Sequence, residues 1–346
     1  MSKQFLYVSA HASKEILCFE VNGVTGALSP PRITEVPGSE LESPHSIPMA
    51  LSPDRGLLYA VMRMPPYPLA VFKIERRTGA LVHVASGRLD DSVCYLSVDA
   101  NGRTLLAASH SGASILNYPI GEDGIPAETA RQKISPVPAA HSIIVDGDNR
   151  FVYGAGLGDN RVLQWRLDEG SGMLVENQPA YISPHPGAGP RHLAMHPVLA
   201  RLYCLNETDG TIDVYGVDRV AGGLFHLQTI SAMPDGQPSR PNERAADIHV
   251  TPGGRFLYSS ERSHDTLAGF SVDPVDGKLR YIASWKTEKE PRGFLIHPSG
   301  AHLYCTGHKS GYLAHYSIAR DSGHLELLGR YPAGRGPNWL EIVESY

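Results

Sequence analysis

The run Thr251-Pro252-Gly253-Gly254-Arg255-Phe256-Leu257-Tyr258, a tight turn feeding a Leu-Tyr pair, decides the fold because it returns along the chain. Ser52-Pro53-Asp54-Arg55-Gly56 leads into Leu58-Tyr59, His196-Pro197 into Leu202-Tyr203, and His297-Pro298-Ser299-Gly300 into Leu303-Tyr304. Weaker copies are Asp99-Ala100-Asn101-Gly102 before Leu105-Leu106 and Asp146-Gly147-Asp148-Asn149 before Val152-Tyr153. The chain opens on Leu6-Tyr7, a copy without its preceding half. The second residues of these pairs stand at 7, 59, 106, 153, 203, 258 and 304, at intervals of 52, 47, 47, 50, 55 and 46. Seven copies with a period near 50 fall in the range of propeller blades.

Within a copy, β-branched and aromatic residues alternate with polar ones, as in Ile212-Asp213-Val214-Tyr215, the period of a strand. Turns such as Thr78-Gly79 and Asp276-Gly277 mark hairpins, and no amphipathic helix of a dozen residues stands out. The expectation is an all-β chain: a seven-bladed β-propeller of four-stranded blades, one domain over residues 1–346. The missing half-copy lies at the other end, where Gly336-Pro337-Asn338-Trp339-Leu340 parallels Gly189-Pro190-Arg191-His192-Leu193. The C-terminal strand is therefore expected to join the N-terminal blade and close the ring, leaving no open sheet edge.

Composition narrows the function. With 31 Lys+Arg against 36 Asp+Glu the net charge is −5, which argues against nucleic acid as a partner. No apolar run approaches the ~18 residues of a membrane span, and residues 1–9 lack the apolar core of a signal peptide. The cysteines Cys18, Cys94, Cys204 and Cys305 are scattered and read as buried free thiols, which points to a reducing compartment and the cytoplasm. Oligomeric state is not legible. No G-x-S-x-G elbow, H-E-x-x-H or P-loop occurs, and Gly154-Ala155-Gly156-Leu157-Gly158 ends a strand with no helix to follow.

The repeat also supplies a coordinate system. With the first turn residue of each copy as zero, five before it stand Ile47, Cys94, His141, Arg191, Ala246 and Arg292. One residue later come Pro48, Tyr95, Ser142, His192, Asp247 and Gly293. Eleven after zero stand Arg63, His110, Leu157, Glu207, Arg262 and His308, with His11 in the first copy. At ~3.3 Å per residue these slots converge on one mouth of the central channel. Arginines, histidines and a few acids there, in place of apolar residues, describe a cationic pocket for an anion, because guanidinium binds carboxylate or phosphate bidentately. Lone turn histidines such as His196 and His297 read as caps. His11, His110 and His308 share mouth slots, but the surplus of arginine repels a cation. No metal and no cofactor are expected.

The runs Gly187-Ala188-Gly189-Pro190-Arg191-His192, Asn206-Glu207, Ala245-Ala246-Asp247-Ile248-His249, Pro291-Arg292-Gly293-Phe294 and Gly336-Pro337-Asn338-Trp339 resemble the seven-bladed propeller lactonases. That family includes the bacterial propeller-type 6-phosphogluconolactonases, to which the chain is most similar, and the carboxymuconate lactonizing enzymes. The resemblance implies that His141, Arg191, Glu207 and Arg262 are the catalytic residues, the same four that the register brings together. Arg63, His192, Asp247, Arg292 and Lys309 are expected to bind substrate. The implied reaction is metal-free hydrolysis of 6-phosphogluconolactone to 6-phosphogluconate in the pentose phosphate pathway. The general base stays open between Glu207 and His141, with His141 preferred. The alternatives are another aldonolactone, a muconate-type cyclisation, or a non-catalytic propeller scaffold. The segments Ser39–His45 and Arg63–Pro68 are read as loops that shape the mouth.

Overall fold

The computed structural model describes residues 3–38, 44–234, 237 and 243–344, so most of the mouth segment read at 39–45 lies outside it. The described chain folds into seven four-stranded antiparallel sheets, and among the described residues there is no α-helix and no candidate membrane span. The innermost strands are β4 (Met49–Leu51), β8 (Val93–Val98), β12 (Ala140–Val145), β16 (Pro190–Met195), β20 (Ala245–Val250), β24 (Pro291–Ile296) and β28 (Pro337–Glu344). Each packs on the next around the axis, and β28 packs on both β24 and β4, so the ring is complete.

Closure follows the sequence expectation. Strand β1 (Gln4–Ala10) pairs with β2 (Glu15–Val21) on one side and with β28 on the other, Leu6 opposite Ile342 and Val8 opposite Leu340. The first and last parts of the chain thus build one blade. The core lies between neighbouring blades: Tyr7, Met49, Leu58 and Phe72 share one apolar cluster, and Tyr203, Ile212, Leu257 and Phe270 another.

The recurring tyrosine has a specific task. The hydroxyls of Tyr7, Tyr59, Tyr153, Tyr203, Tyr258 and Tyr304 donate to the carbonyls of Gly79, Gly124, Gly222, Gly277, Gly323 and Gly26, each in the hairpin of the next blade. Where the copy carries Leu105-Leu106 instead, Asn117 Nδ2 donates to Gly172 at 2.7 Å and fills the gap. Seven hydrogen bonds therefore staple seven blades in a circle. The accepting glycines have φ between 68° and 78°, which side chains rarely adopt. His196 and His297 act as turn caps, their Nδ1 atoms accepting the amides of Leu199 at 2.8 Å and Ser299 at 3.1 Å. All four cysteines are buried and free.

Candidate functional site

The site grows from a defect repeated at the start of the inner strands. In six of them the pairing with the second strand of the blade skips a residue. The extra residue is Cys94 in β8, His141 in β12, Arg191 in β16, one of Ala246 and Asp247 in β20, Arg292 in β24 and Asn338 in β28. A β-bulge frees its residue from the strict alternation of the ladder and re-aims the side chain. Consecutive pairs such as Arg191-His192 can then both serve the channel. The second strands end one residue before Glu207, Arg262, His308, His11 and His110, which enter the same mouth from the blade tops.

Glu207 is the hub. Its Oε2 lies 2.7 Å from Arg191 Nε and its Oε1 3.0 Å from Arg262 Nη2. Arg191, only 2% exposed, also donates to the Ala246 carbonyl, and Arg262 Nε donates to the Arg244 carbonyl at 2.9 Å. Both guanidiniums are thus fixed by one carboxylate and by backbone. Burial would raise the Glu207 carboxyl, but Arg191 and Arg262 outweigh it and hold the group below the usual carboxylate range. Burial and then Arg191 push Arg262 down to about 10, and burial with Arg191, Arg262 and Arg63 pushes Arg292 down to about 9. Four arginines in mutual range around one acid leave a surplus of positive charge.

The His141 ring is buried beside this charge, with ring centroids 5.7 Å from His110 and 5.2 Å from His192. Burial first, then the field of Arg191, hold His141 well below its ordinary value, so the ring is neutral at pH 7. Beneath it, Tyr95 stands edge-on to both His192 and Trp339, at 5.2 and 5.1 Å. A cavity of about 260 Å³ continues down the channel, lined by His192, Asp247, His249, Arg292, Trp339 and Glu341 among others.

The remaining residues named from sequence divide. Arg292 reaches the mouth and donates to the His45 carbonyl at 3.2 Å, and Arg63 is held by Ser92 and Ser111 at 3.3 and 3.2 Å. Lys309 is engaged by Glu290 at 2.8 Å, which also takes Arg244 at 3.0 Å. Asp247 is enclosed: its oxygens meet His192, His249 and the Phe294 amide at 2.8, 3.1 and 3.1 Å. His11 and His308 stack on each other at 4.9 Å, whereas His110 packs on His141. Sequence reasoning did not single out His110, Arg244, Glu290 or Glu341 as site residues. His110 occupied the same slot as Glu207, so its signal was present. Glu341, pushed up to about 7 by burial, corresponds in the C-terminal copy to Ala194, two residues past the inner-strand slots that were read, so the register did not reach it.

Comparison with known proteins agrees with this architecture. The family model described as "Lactonase, 7-bladed beta-propeller" matches residues 6–342. The chain is 36% identical to the 6-phosphogluconolactonase of Pectobacterium carotovorum over 341 residues, covering 99% of both chains. It is likewise 36% identical to that of Serratia proteamaculans, again over 99% of both. Among solved structures, the periplasmic gluconolactonase PpgL of Pseudomonas aeruginosa superposes with a TM-score of 0.88 over 99% of this chain and 100% of that one. At 24% identity that likeness speaks for the fold alone. With seven closed blades, an arginine-rich mouth and full-length matches to named members, the chain belongs to the seven-bladed β-propeller lactonase family.

Proposed function

We propose that this protein hydrolyses 6-phosphogluconolactone to 6-phosphogluconate, the activity for which its full-length relatives are named. The observation that carries the reading is the Arg191–Glu207–Arg262 clamp, with Arg292 and Arg63 in electrostatic range of it. One carboxylate does not neutralise four guanidiniums, so an anionic substrate completes the charge balance. A water attacks the lactone carbonyl, and Arg191 and Arg262 stabilise the oxyanion as it develops. His141, neutral and beside Arg191, takes the proton and returns it to the departing ring oxygen. An anionic substrate offsets the cationic field that depresses His141, so its basicity rises when the substrate is in place. Glu207, ionised and clamped, orients the arginines. Arg292 and Arg63 suit the phosphate, and the four buried free thiols suit the cytoplasm.

The test is a pH-controlled hydrolysis screen against phosphorylated gluconolactone, plain gluconolactone and a muconolactone, corrected for spontaneous opening. We expect kcat/KM for the phosphorylated lactone to exceed the plain one by roughly 10- to 100-fold, the size of one charged hydrogen-bonded contact. Hydrolysis of none of them above the spontaneous rate refutes the function.

A further inference from the structure

Among the described residues, the buried imidazole nitrogens at the site without a hydrogen-bond partner include Nδ1 of His141 and Nε2 of His192. Their rings are neighbours, with centroids 5.2 Å apart, and the residues are 6% and 5% exposed. An unsatisfied buried polar atom costs about 1–3 kcal/mol. As acceptors on adjacent rings, both would be satisfied by a small hydrogen-bond donor.

The other side of His192 is fixed. Its Nδ1 meets Asp247 Oδ1 at 2.8 Å. An ionised carboxylate can only accept, so the proton of neutral His192 sits on Nδ1 and Nε2 carries the lone pair. Asp247 is itself held in place: Oδ2 accepts from His249 Nε2 and the Phe294 amide, both at 3.1 Å, and Oδ1 accepts from the Ile248 amide at 3.0 Å. Tyr95 and Trp339 stand edge-on to the His192 ring at 5.2 and 6.4 Å and limit its rotation. A carboxylate that sets the tautomer of a buried ring beside the oxyanion-binding arginines is built like the orienting member of a catalytic dyad. This arrangement uses Asp247 within the protein and leaves it no oxygen to offer a substrate.

We propose that His192 is a further catalytic residue and that Asp247 is its positioning residue, an inference that rests on the lactone-hydrolysing reading. The attacking water donates one hydrogen to Nδ1 of His141 and the other to Nε2 of His192, so its lone pair is aimed at the carbonyl carbon. As the C–O bond forms, His141 takes the first proton and the carbonyl electrons move onto the oxygen facing Arg191 and Arg262. The ring C–O bond then breaks, and its oxygen takes that proton back from His141. The second proton is the acidic hydrogen of the product, and His192 accepts it as the carboxylate leaves, its charge balanced by Asp247.

The experiment compares Asp247→Asn, His192→Phe and His249→Gln with the unaltered enzyme on 6-phosphogluconolactone. Asp247→Asn and His192→Phe are expected to lower kcat by roughly 10- to 100-fold, the range for loss of an orienting partner, with KM unchanged. His249→Gln, which removes one support of Asp247 but leaves His192 and its carboxylate partner in place, is expected to lower kcat by less than Asp247→Asn does. Nitrogen-15 NMR of the unaltered protein reads the tautomer independently of how any variant folds, and should show His192 protonated at Nδ1 and bare at Nε2. An Nε2-protonated ring, full kcat in a folded His192→Phe protein, or a rise in KM alone overturns the proposal. Wild-type protein that opens no lactone fails the function instead, so the two failures are told apart.

Discussion

Both oxygens of Glu207 are engaged, one by Arg191 and one by Arg262, so the arginines act as a unit whose geometry depends on the acid between them. If this pair stabilises the oxyanion, replacing either arginine with Met should lower kcat/KM by roughly 10²–10³. If one of them instead holds the ground-state phosphate, its variant should raise KM at nearly constant kcat and lose the preference for the phosphorylated lactone. Steady-state kinetics on phosphorylated and plain gluconolactone separate these outcomes. Wild-type rates in both folded variants would remove the clamp from the mechanism. Arg191 was legible from its place five residues before the turn and Glu207 from its place eleven after it. That one acid would take both arginines was not: Arg191 lies on the strand paired with the one before Glu207, but Arg262 enters from the next blade, and any of several nearby groups could have paired.

Strands are held to the next blade by the Tyr-to-Gly staple, and the two ends of that bond respond differently to mutation. Tyr153 Oη donates to the Gly222 carbonyl at 2.9 Å in a buried setting, so Tyr153→Phe should cost about 1 kcal/mol, the net value of one hydrogen bond. Gly222→Ala should cost more. Its φ is 73°, and an added Cβ would stand 2.1 Å from the Phe151 ring, so strain and clash add. Urea midpoints of the two variants test the order. An unchanged midpoint in Tyr153→Phe would assign the inter-blade contact to packing alone. Asn117 meets the same need in the one copy that lacks the tyrosine, which explains how Leu106 is tolerated there.

Burial holds nine of the sixteen histidines below their ordinary value, and this gives the whole molecule an acid limit. His11, His192 and His315 stand at about 4. As pH falls from about 6.5 to 4 the unfolded chain takes up protons that the folded chain refuses, so stability declines over that window. Three groups act in the opposite sense. Burial raises Glu341 to about 7 and also raises Asp159, and in His249 the pull of Asp247 outweighs burial. Each favours the folded state as pH falls, but nine outnumber three. Urea midpoints at pH 7.5, 6 and 5 should fall in that order. A midpoint that holds or rises toward pH 5 would show that the histidines are open to solvent protons.

The blade count, the shared first blade and the converging slots could be read from the chain because turn residues, strand alternation and a fixed repeat are local properties of neighbouring residues. Seven Leu-Tyr positions, or their equivalents, near one spacing admit little else, and the match between Gly336-Pro337-Asn338-Trp339 and Gly189-Pro190-Arg191-His192 settles where the ends meet. The bulges were invisible to that reading, since an extra residue in a ladder exists only relative to the strand opposite. They turn His141, Arg191 and Arg292 out of the regular alternation. Partner choice was equally hidden: Lys309 goes to Glu290, and Asp247 is shared by His192 and His249. Only the His192–Asp247 pairing crosses between blades; Asp247 and His249 share β20, and Lys309 and Glu290 flank neighbouring strands of one blade. Coulomb attraction and hydrogen-bond geometry act over a few ångströms of space, and only closing the ring sets which groups come that close.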